Sequence, residues 1–272
     1  MSGSKTSEWV GGPVGERAVC VVAKNPGPMT LDGTNSWVLH EPGSTQAIVV
    51  DPGPDDEQHL VAVLDVVRAR GAQVAVALLT HRHDDHSGGI RRFADLARCP
   101  VRAFDPAYRL GDEGLADGDV VEVGGLEVHV VETPGHTTDS VSLTLAAEAA
   151  LLTGDTVLGR GTAVVAHPDG TLAPYLASLE RLRTLAAATG IRQILPGHGP
   201  VRGDVVDLLD GYLTHRAERL VQVRKAVTAG ARTPRDIVER VYSTIDPVLW
   251  PAAEQSVRAQ LDYLAEAHTR EA

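Results

Sequence analysis

Three histidines and two aspartates fall within residues 81–86 (HRHDDH), directly after the apolar run VAVALLT and just before the pair Gly88 and Gly89. The chain has only 11 histidines in 272 residues, so this crowding asks for a cause. Imidazoles and carboxylates packed together are costly unless a cation lies among them. His81, His83, Asp85 and His86 form the pattern H-x-H-x-D-H. Residues i and i+2 of extended chain point to the same side, so His81 and His83 can face one point. Asp85 and His86, after a bend, can face a second point nearby. The helical zinc motif H-E-x-x-H needs i,i+4 spacing instead.

A metal site needs further ligands at corresponding strand ends, and three candidates have that context. His136 lies in TPGHT, Asp155 in LLTGDT and His198 in LPGHG, each following a β-like apolar run and each beside a glycine that permits a tight turn. A single turn histidine usually caps a neighbour or faces water, and that plain role is expected for His40, His59, His129, His167, His215 and His268. Seven ligands are too many for one tetrahedral zinc but suit two metals that share a carboxylate. The simplest division gives His81, His83 and His136 to one metal and Asp85, His86 and His198 to the other, with Asp155 bridging. Such a pair lowers the pKa of bound water from about 15.7 to about 7. Asp85, if it also meets that water, would orient it and take up its proton. The expected chemistry is hydrolysis with two divalent ions. Zn2+ is the leading choice, and Fe or Mn are alternatives because imidazole suits zinc and iron alike.

Short strands must carry these turns. SWVLHE, QAIVVD, VAVALLT, PVRAF, DVVEV, LEVHVVE, SVSLTL, ALLTG and IRQILP read as strands. EQHLVAVLDVVRARG has helical apolar spacing and a Gly71 stop, GGIRRFADLARC reads as a second helix, and leucines recur every three residues from Leu176 to Leu185 in a third. Strands and helices interleave as far as about residue 203, which predicts an α/β or layered α+β domain over 1–203. Beyond it the strand signals stop. A long helix interrupted at Gly211, a helix after Thr233 as N-cap and Pro234 at its first position, and a last helix predict a small helical domain over 204–272.

Composition narrows the setting. Two widely separated cysteines, Cys20 and Cys99, fit neither a CxxC motif nor a disulfide framework and suit a reducing cytoplasm. The first residues, MSGSKTSEWVGG, lack an apolar export segment, and no apolar run approaches the roughly 18 residues of a spanning helix. A net charge of -11 leans against indiscriminate nucleic-acid binding.

THRHDDHSGG, TPGHTTDS, LLTGDT and LPGHGP, in this order and separation, resemble the metallo-β-lactamase superfamily. The resemblance implies an αββα sandwich with metals at one edge. Asp155, where the antibiotic-degrading branch commonly has cysteine, implies a glyoxalase II-like bridged centre and disfavours a β-lactamase. NPGPMTLDGTNSWVL, GDTVLGRGTAVV and the helical appendage are similar to the lactamase-beta-like protein 2 group, which carries a winged-helix-like C-terminal region and includes a single-strand endoribonuclease. The resemblance further implies that Asn35, Arg160 in the loop 159–162, and Tyr175 lie near the substrate, and that Asp51 braces the metal loops. Two hydrolytic readings stay open: a small-molecule ester or thioester, or a phosphodiester in single-stranded RNA. An iron-dependent redox enzyme of the same fold is a third, disfavoured in its diiron flavoprotein form by His83. No basic stripe marks the appendage, so it is expected to cover the active-site edge or support a homodimer.

Overall fold

A computed structural model describes residues 8–271. The expectation about the extreme N-terminus falls mainly on residues 1–7, outside the described residues, as does the side chain of His268. Strands β1 (Gly12–Val14), β2 (Ala18–Val22), β3 (Asn35–Leu39), β4 (Gln46–Val50), β5 (Gln73–Leu78) and β6 (Val101–Arg102) form one sheet in chain order. The chain continues through β7 (Val120–Val123), β8 (Leu126–Glu132), β9 (Val141–Leu145), β10 (Ala150–Gly154) and β11 (Gln193–Pro196), which form a second sheet ordered β11-β10-β9-β8-β7. The β4–β5, β5–β6 and β10–β11 pairs are parallel, each joined through helices, and the others are antiparallel.

Alternation along the strands explains why the sheets stack. Trp37, Leu39, Ile48, Val50 and Leu78 turn inward and meet Val128, Val130, Leu143, Leu145 and Leu152 of the other sheet. Their neighbours Val38, Ala47 and Val49 turn outward onto α1 (Glu57–Ala69) and the region of α3 (Ile90–Ala97). On the far side, Leu151 and Ile194 pack against Tyr175, Leu179 and Leu182 of α4 (Leu172–Thr189). The layers are therefore αββα. Between β5 and α3 the H-x-H-x-D-H segment forms the single turn α2 (Asp84–Ser87).

The C-terminal part is α5 (Val205–Thr228), α6 (Pro234–Val241) and α7 (Trp250–Glu271). Thr233 caps α6 in a reciprocal capping box with Asp236. The start of α5 packs with α4 through Val205, Leu209 and Tyr212, while Val223 and Ala226 join Ile237, Val238 and Val257 in a separate small core. The predicted interruption at Gly211 does not occur. A Cβ there would meet nothing within 4 Å, so this surface glycine costs about 1 kcal/mol of helix propensity without ending the helix. Strands β1 and β2 were not predicted. Gly15 and the short, mixed pattern of GPV hide the hairpin from an alternation search.

Candidate metal centre

The two sheets are stitched together at one edge by the backbone of the ligand turns. The Asn35 amide donates to the Gly197 carbonyl (2.8 Å), Gly197 N–H to Gly154 (2.8 Å), and Val141 N–H to Thr80 (2.8 Å). These bonds bring together the ends of β3, β5, β9, β10 and β11, and all seven predicted ligands meet there. Ligand atoms of His81, His83, His136 and Asp155 lie within 4.8 Å of one another, and so do those of Asp85, His86 and His198. Within the first group His83 Nδ1 is 3.1 Å from His81 Nε2 and 3.0 Å from His136 Nε2. In the second, Asp85 Oδ2 is 3.4 Å from His86 Nε2 and 3.2 Å from His198 Nε2. Asp155 stands between them, with Oδ2 3.7 Å from His136 Nε2 and 3.3 Å from His198 Nε2.

The outer nitrogen of each ring fixes which inner nitrogen can ligate. His136 Nδ1 faces the Val164 carbonyl (2.6 Å) and His198 Nδ1 faces the Gly33 carbonyl (3.1 Å). A carbonyl only accepts, so both Nδ1 atoms carry hydrogen and Nε2 is left to turn a lone pair inward. His86 Nδ1 donates to Asp51 Oδ2 (2.8 Å) to the same effect. Asp51 also accepts from Thr80 N–H (2.8 Å) and Thr80 Oγ1 (2.7 Å), which anchors the residue just before His81. It adopts φ 51° to do so, a left-handed conformation that aspartate tolerates better than most residues. Asp51 thus braces the histidine segment.

Electrostatics divide the cluster in two. Burial pushes His136 down to about 4 and His81 well below the ordinary imidazole value, and it lowers His83 as well. These three are neutral, as ligands must be. Burial also opposes charge on His86 and His198, but Asp155 and Asp85 outweigh it, raising His86 well above its usual value and His198 to about 9. Burial works against ionised Asp155 and Asp85 too, yet the charged His86 and His198 hold both carboxyls well below their ordinary range. The carboxylates demand positive charge at this spot, and protonated imidazoles supply it where a cation would.

The donor set fits metal ions on a second ground. Asp155 Oδ1 is buried with no hydrogen-bond partner, which is costly unless something coordinates it. Gly197 leaves the room: a Cβ there would lie 2.5 Å from Asp155 Oδ1 and 2.8 Å from His86 Cε1. Two groups of three ligands sharing Asp155 match a dinuclear centre of nitrogen and oxygen donors.

From His136 and Asp155 a cleft of about 330 Å³ runs to the C-terminal helices. Met29, Leu31, Leu158, Val164, Ile245 and Leu249 give it apolar walls, and His215, Arg216 and Arg219 of α5 line it as well. The appendage therefore helps form the cleft. Arg160 lines the cleft, 2.8 Å from Asp32 Oδ2. Asn35 and Tyr175 do not. Asn35 is fully buried, its amide donates to the carbonyls of Pro196 and Gly199 (2.9 Å each), and its Oδ1 accepts from Trp9. With its polar capacity filled, it holds the His198 turn rather than a substrate. Tyr175 is equally buried and donates to the Thr156 carbonyl (2.8 Å), supporting the turn after Asp155.

Two of the histidines expected to play plain roles are buried and bond to nearby groups: His59 Nε2 lies 2.8 Å from Ser36 Oγ, and His40 Nε2 lies 2.8 Å from the Ser44 carbonyl. Thr34, whose Oγ1 donates to Asp85 Oδ2 (2.9 Å), and Thr80 carry no sequence signal beyond their position next to motif residues. His215, Arg216 and Arg219 were invisible because an i, i+1, i+4 set on a helix is ordinary in a charged segment.

Residues 29–198 match the family model of the metallo-beta-lactamase superfamily, and residues 233–267 match that of the beta-lactamase associated winged helix domain. The chain therefore belongs to the metallo-beta-lactamase superfamily and is a metal-dependent hydrolase of that class. It is 33% identical over 255 residues to the beta-lactamase-like protein 2 homolog of Caenorhabditis elegans, covering 90% of this chain and 82% of the relative. It is 30% identical over 272 residues to the lactamase-like protein adaB of Aspergillus niger, covering 89% and 81%. A beta-lactamase domain protein from Burkholderia ambifaria shares the fold at a TM-score of 0.77 and 24% identity, covering 97% of this chain and 91% of that one. No helix among the described residues is long and apolar enough to cross a membrane.

Proposed function

We propose that this chain hydrolyses an ester or thioester of a small, largely apolar acid, using two Zn2+ ions held by His81, His83, Asp85, His86, His136, Asp155 and His198. The observation that carries this reading is the cleft: its apolar walls lead directly from His136 and Asp155, and about 330 Å³ is the size of a small-molecule site. The bound ions would supply Lewis acidity and make water acidic near neutral pH. The protein's own groups do the rest. Asp85, less buried than the histidines around it and ionised, presents Oδ2 toward the cluster while Thr34 Oγ1 fixes its orientation. It is the group placed to accept a proton from attacking water and pass it to the departing alkoxide or thiolate. The net reaction adds H and OH of water across the acyl C–O or C–S bond. The apolar walls exclude bulk water and hold the acyl chain.

A glyoxalase II-like centre is supported by Asp155 lying between the two groups of ligands. Cleavage of single-stranded RNA is the second reading, favoured by the guanidinium groups of Arg160, Arg216 and Arg219 on one cleft. Cys20 and Cys99 are buried free thiols, which supports a reducing, cytoplasmic setting. The test is to profile one preparation against a thioester, a simple phosphodiester, a β-lactam and short single-stranded RNA, alongside Asp85→Asn. Thioester or ester turnover by the parent that is lost in Asp85→Asn is expected. Turnover confined to RNA would transfer the assignment to the second reading.

A further inference from the structure

On the α5 side of the cleft two guanidiniums, Arg216 and Arg219, form no ion pair among the described residues. Arg216 is only 3% exposed, and its Nε is buried without a hydrogen-bond partner. Its other contacts are neutral: NH2 donates to the Ala163 carbonyl, and the guanidinium carbon lies 4.9 Å from the centre of the Tyr175 ring. Arg219 stacks on Tyr242 at 4.6 Å and donates to Gln222 Oε1 (2.8 Å) and the Val241 carbonyl (2.9 Å), again neutral partners. Among the described residues no carboxylate lies within ion-pair distance of Arg216 or Arg219, although Arg160 on the same cleft has Asp32.

His215 extends the pattern. Arg219 Nε lies 3.3 Å from His215 Nε2. A guanidinium can only donate, so His215 Nε2 is the acceptor and the ring's hydrogen sits on Nδ1. That Nδ1 is buried and has no partner. Adjacent residues on α5 thus present two buried N–H donors lacking an acceptor, beside two guanidiniums lacking a counter-charge, in a chain of net charge -11. Buried donors and unpaired charges are costly and rare. Here they line the same cavity as His136 and Asp155. An oxyanion entering the cleft would accept from such donors and carry the missing charge.

We propose that His215, Arg216 and Arg219 form an oxyanion-binding subsite that receives a distal carboxylate or phosphate of the substrate while its scissile bond lies at the His136 and Asp155 end. This rests on the acyl-hydrolase reading and adds to it that the acid is anionic at its far end. The neutral contacts of both arginines hold them in place before substrate arrives, so little ordering is lost on binding.

Calorimetric titration of the full-length, metal-loaded protein tests this with three probes of similar length: hexanoate, adipate and a hexanoate ending in a phosphate. All can place a carboxylate at the metal end, and only the last two carry a second oxyanion. We expect adipate or the phosphate probe to bind about tenfold or more tightly than hexanoate, the better of the two identifying the oxyanion. Arg216→Gln should abolish that advantage, so that in the variant both dianions bind no more tightly than hexanoate. Arg219→Gln, on a less buried side chain, makes the same test if Arg216→Gln does not fold. Equal affinity for all three probes in the parent, or an advantage that survives in folded variants, overturns the subsite. Hydrolysis of an adipoyl monothioester, which carries the second carboxylate, is read separately. A dianion advantage without thioester turnover keeps the subsite and removes the acyl-hydrolase reading, and turnover without the advantage does the reverse.

Discussion

Asp51→Asn isolates the role of hydrogen bonding behind the ligands, because it removes a charge and one acceptor with almost no change in volume. Asp51 accepts from Thr80 N–H, Thr80 Oγ1 and His86 Nδ1 at 2.8, 2.7 and 2.8 Å. An asparagine has one acceptor oxygen and must choose. If its NH2 takes the Oδ2 position, it donates to His86 Nδ1 and forces the ring hydrogen onto Nε2, the atom that faces Asp85 and His198. That ring can no longer offer a lone pair to a cation. If the amide flips, the buried Thr80 N–H faces an NH2, and an unsatisfied buried donor costs about 1–3 kcal/mol. The favoured arrangement is the cheaper of the two, so the loss should be on the order of 1.4–2.8 kcal/mol, or 10–100-fold in metal affinity. It should fall on the Asp85, His86 and His198 group, since His81, His83 and His136 do not bond to Asp51. Competition with a chromophoric chelator for Zn2+, resolved into two steps, measures this. A folded Asp51→Asn protein whose two affinities both match the parent would refute the argument that Asp51 fixes the His86 tautomer.

Other perturbations separate the remaining parts of the structure. His83→Ala removes the nitrogen that lies between His81 and His136, so elemental analysis should find about one metal fewer per chain and activity should be lost; His129→Ala, half-buried on β8 and outside the ligand groups, should match the parent in both. In the metal-free protein His86 and His198 are raised above their unfolded values, the latter to about 9, so both favour the protonated form at neutral pH; the contribution of His198 to stability fades as pH rises through about 9, and that of His86 fades as pH rises through its own raised value. Filling the second group must displace those protons, so its affinity should increase with pH up to about 9, with proton release visible by titration in buffers of different ionisation enthalpy, whereas the neutral first group should release almost none. Thr233→Ala deletes the capping box of α6 and should destabilise the C-terminal core by about 0.5–2 kcal/mol, seen by chemical denaturation, with metal content unchanged.

How much of this was legible beforehand follows from how each residue is placed. The seven candidate ligands stand at the ends of strands, where a glycine-flanked turn after an apolar run marks both the element and its direction, so spacing alone could gather them. Asp51 could be found on the same ground, since it closes β4 beside β5. Asn35 and Tyr175 were assigned to the substrate through likeness of motif, which reports that a residue matters but not which way its side chain points. One turns onto the His198 loop and the other under Asp155, and both support the centre from behind. The α5 residues lay beyond reach for a different reason. Helical periodicity says which residues share a face but not whether that face meets water, a core or a cleft, and His215, Arg216 and Arg219 acquire their meaning only when the β2–β3 loop and the segment around Arg160 close over them. The separation is physical. Metal ligation is encoded locally in turn chemistry, while the recognition of whatever the centre acts on is assembled from elements about as far apart in sequence as Met29 and Arg219. Chemistry was therefore readable from motifs in this chain, and selectivity was not, because the groups that would choose a substrate become neighbours only through the packing of the helical C-terminal part onto the sandwich.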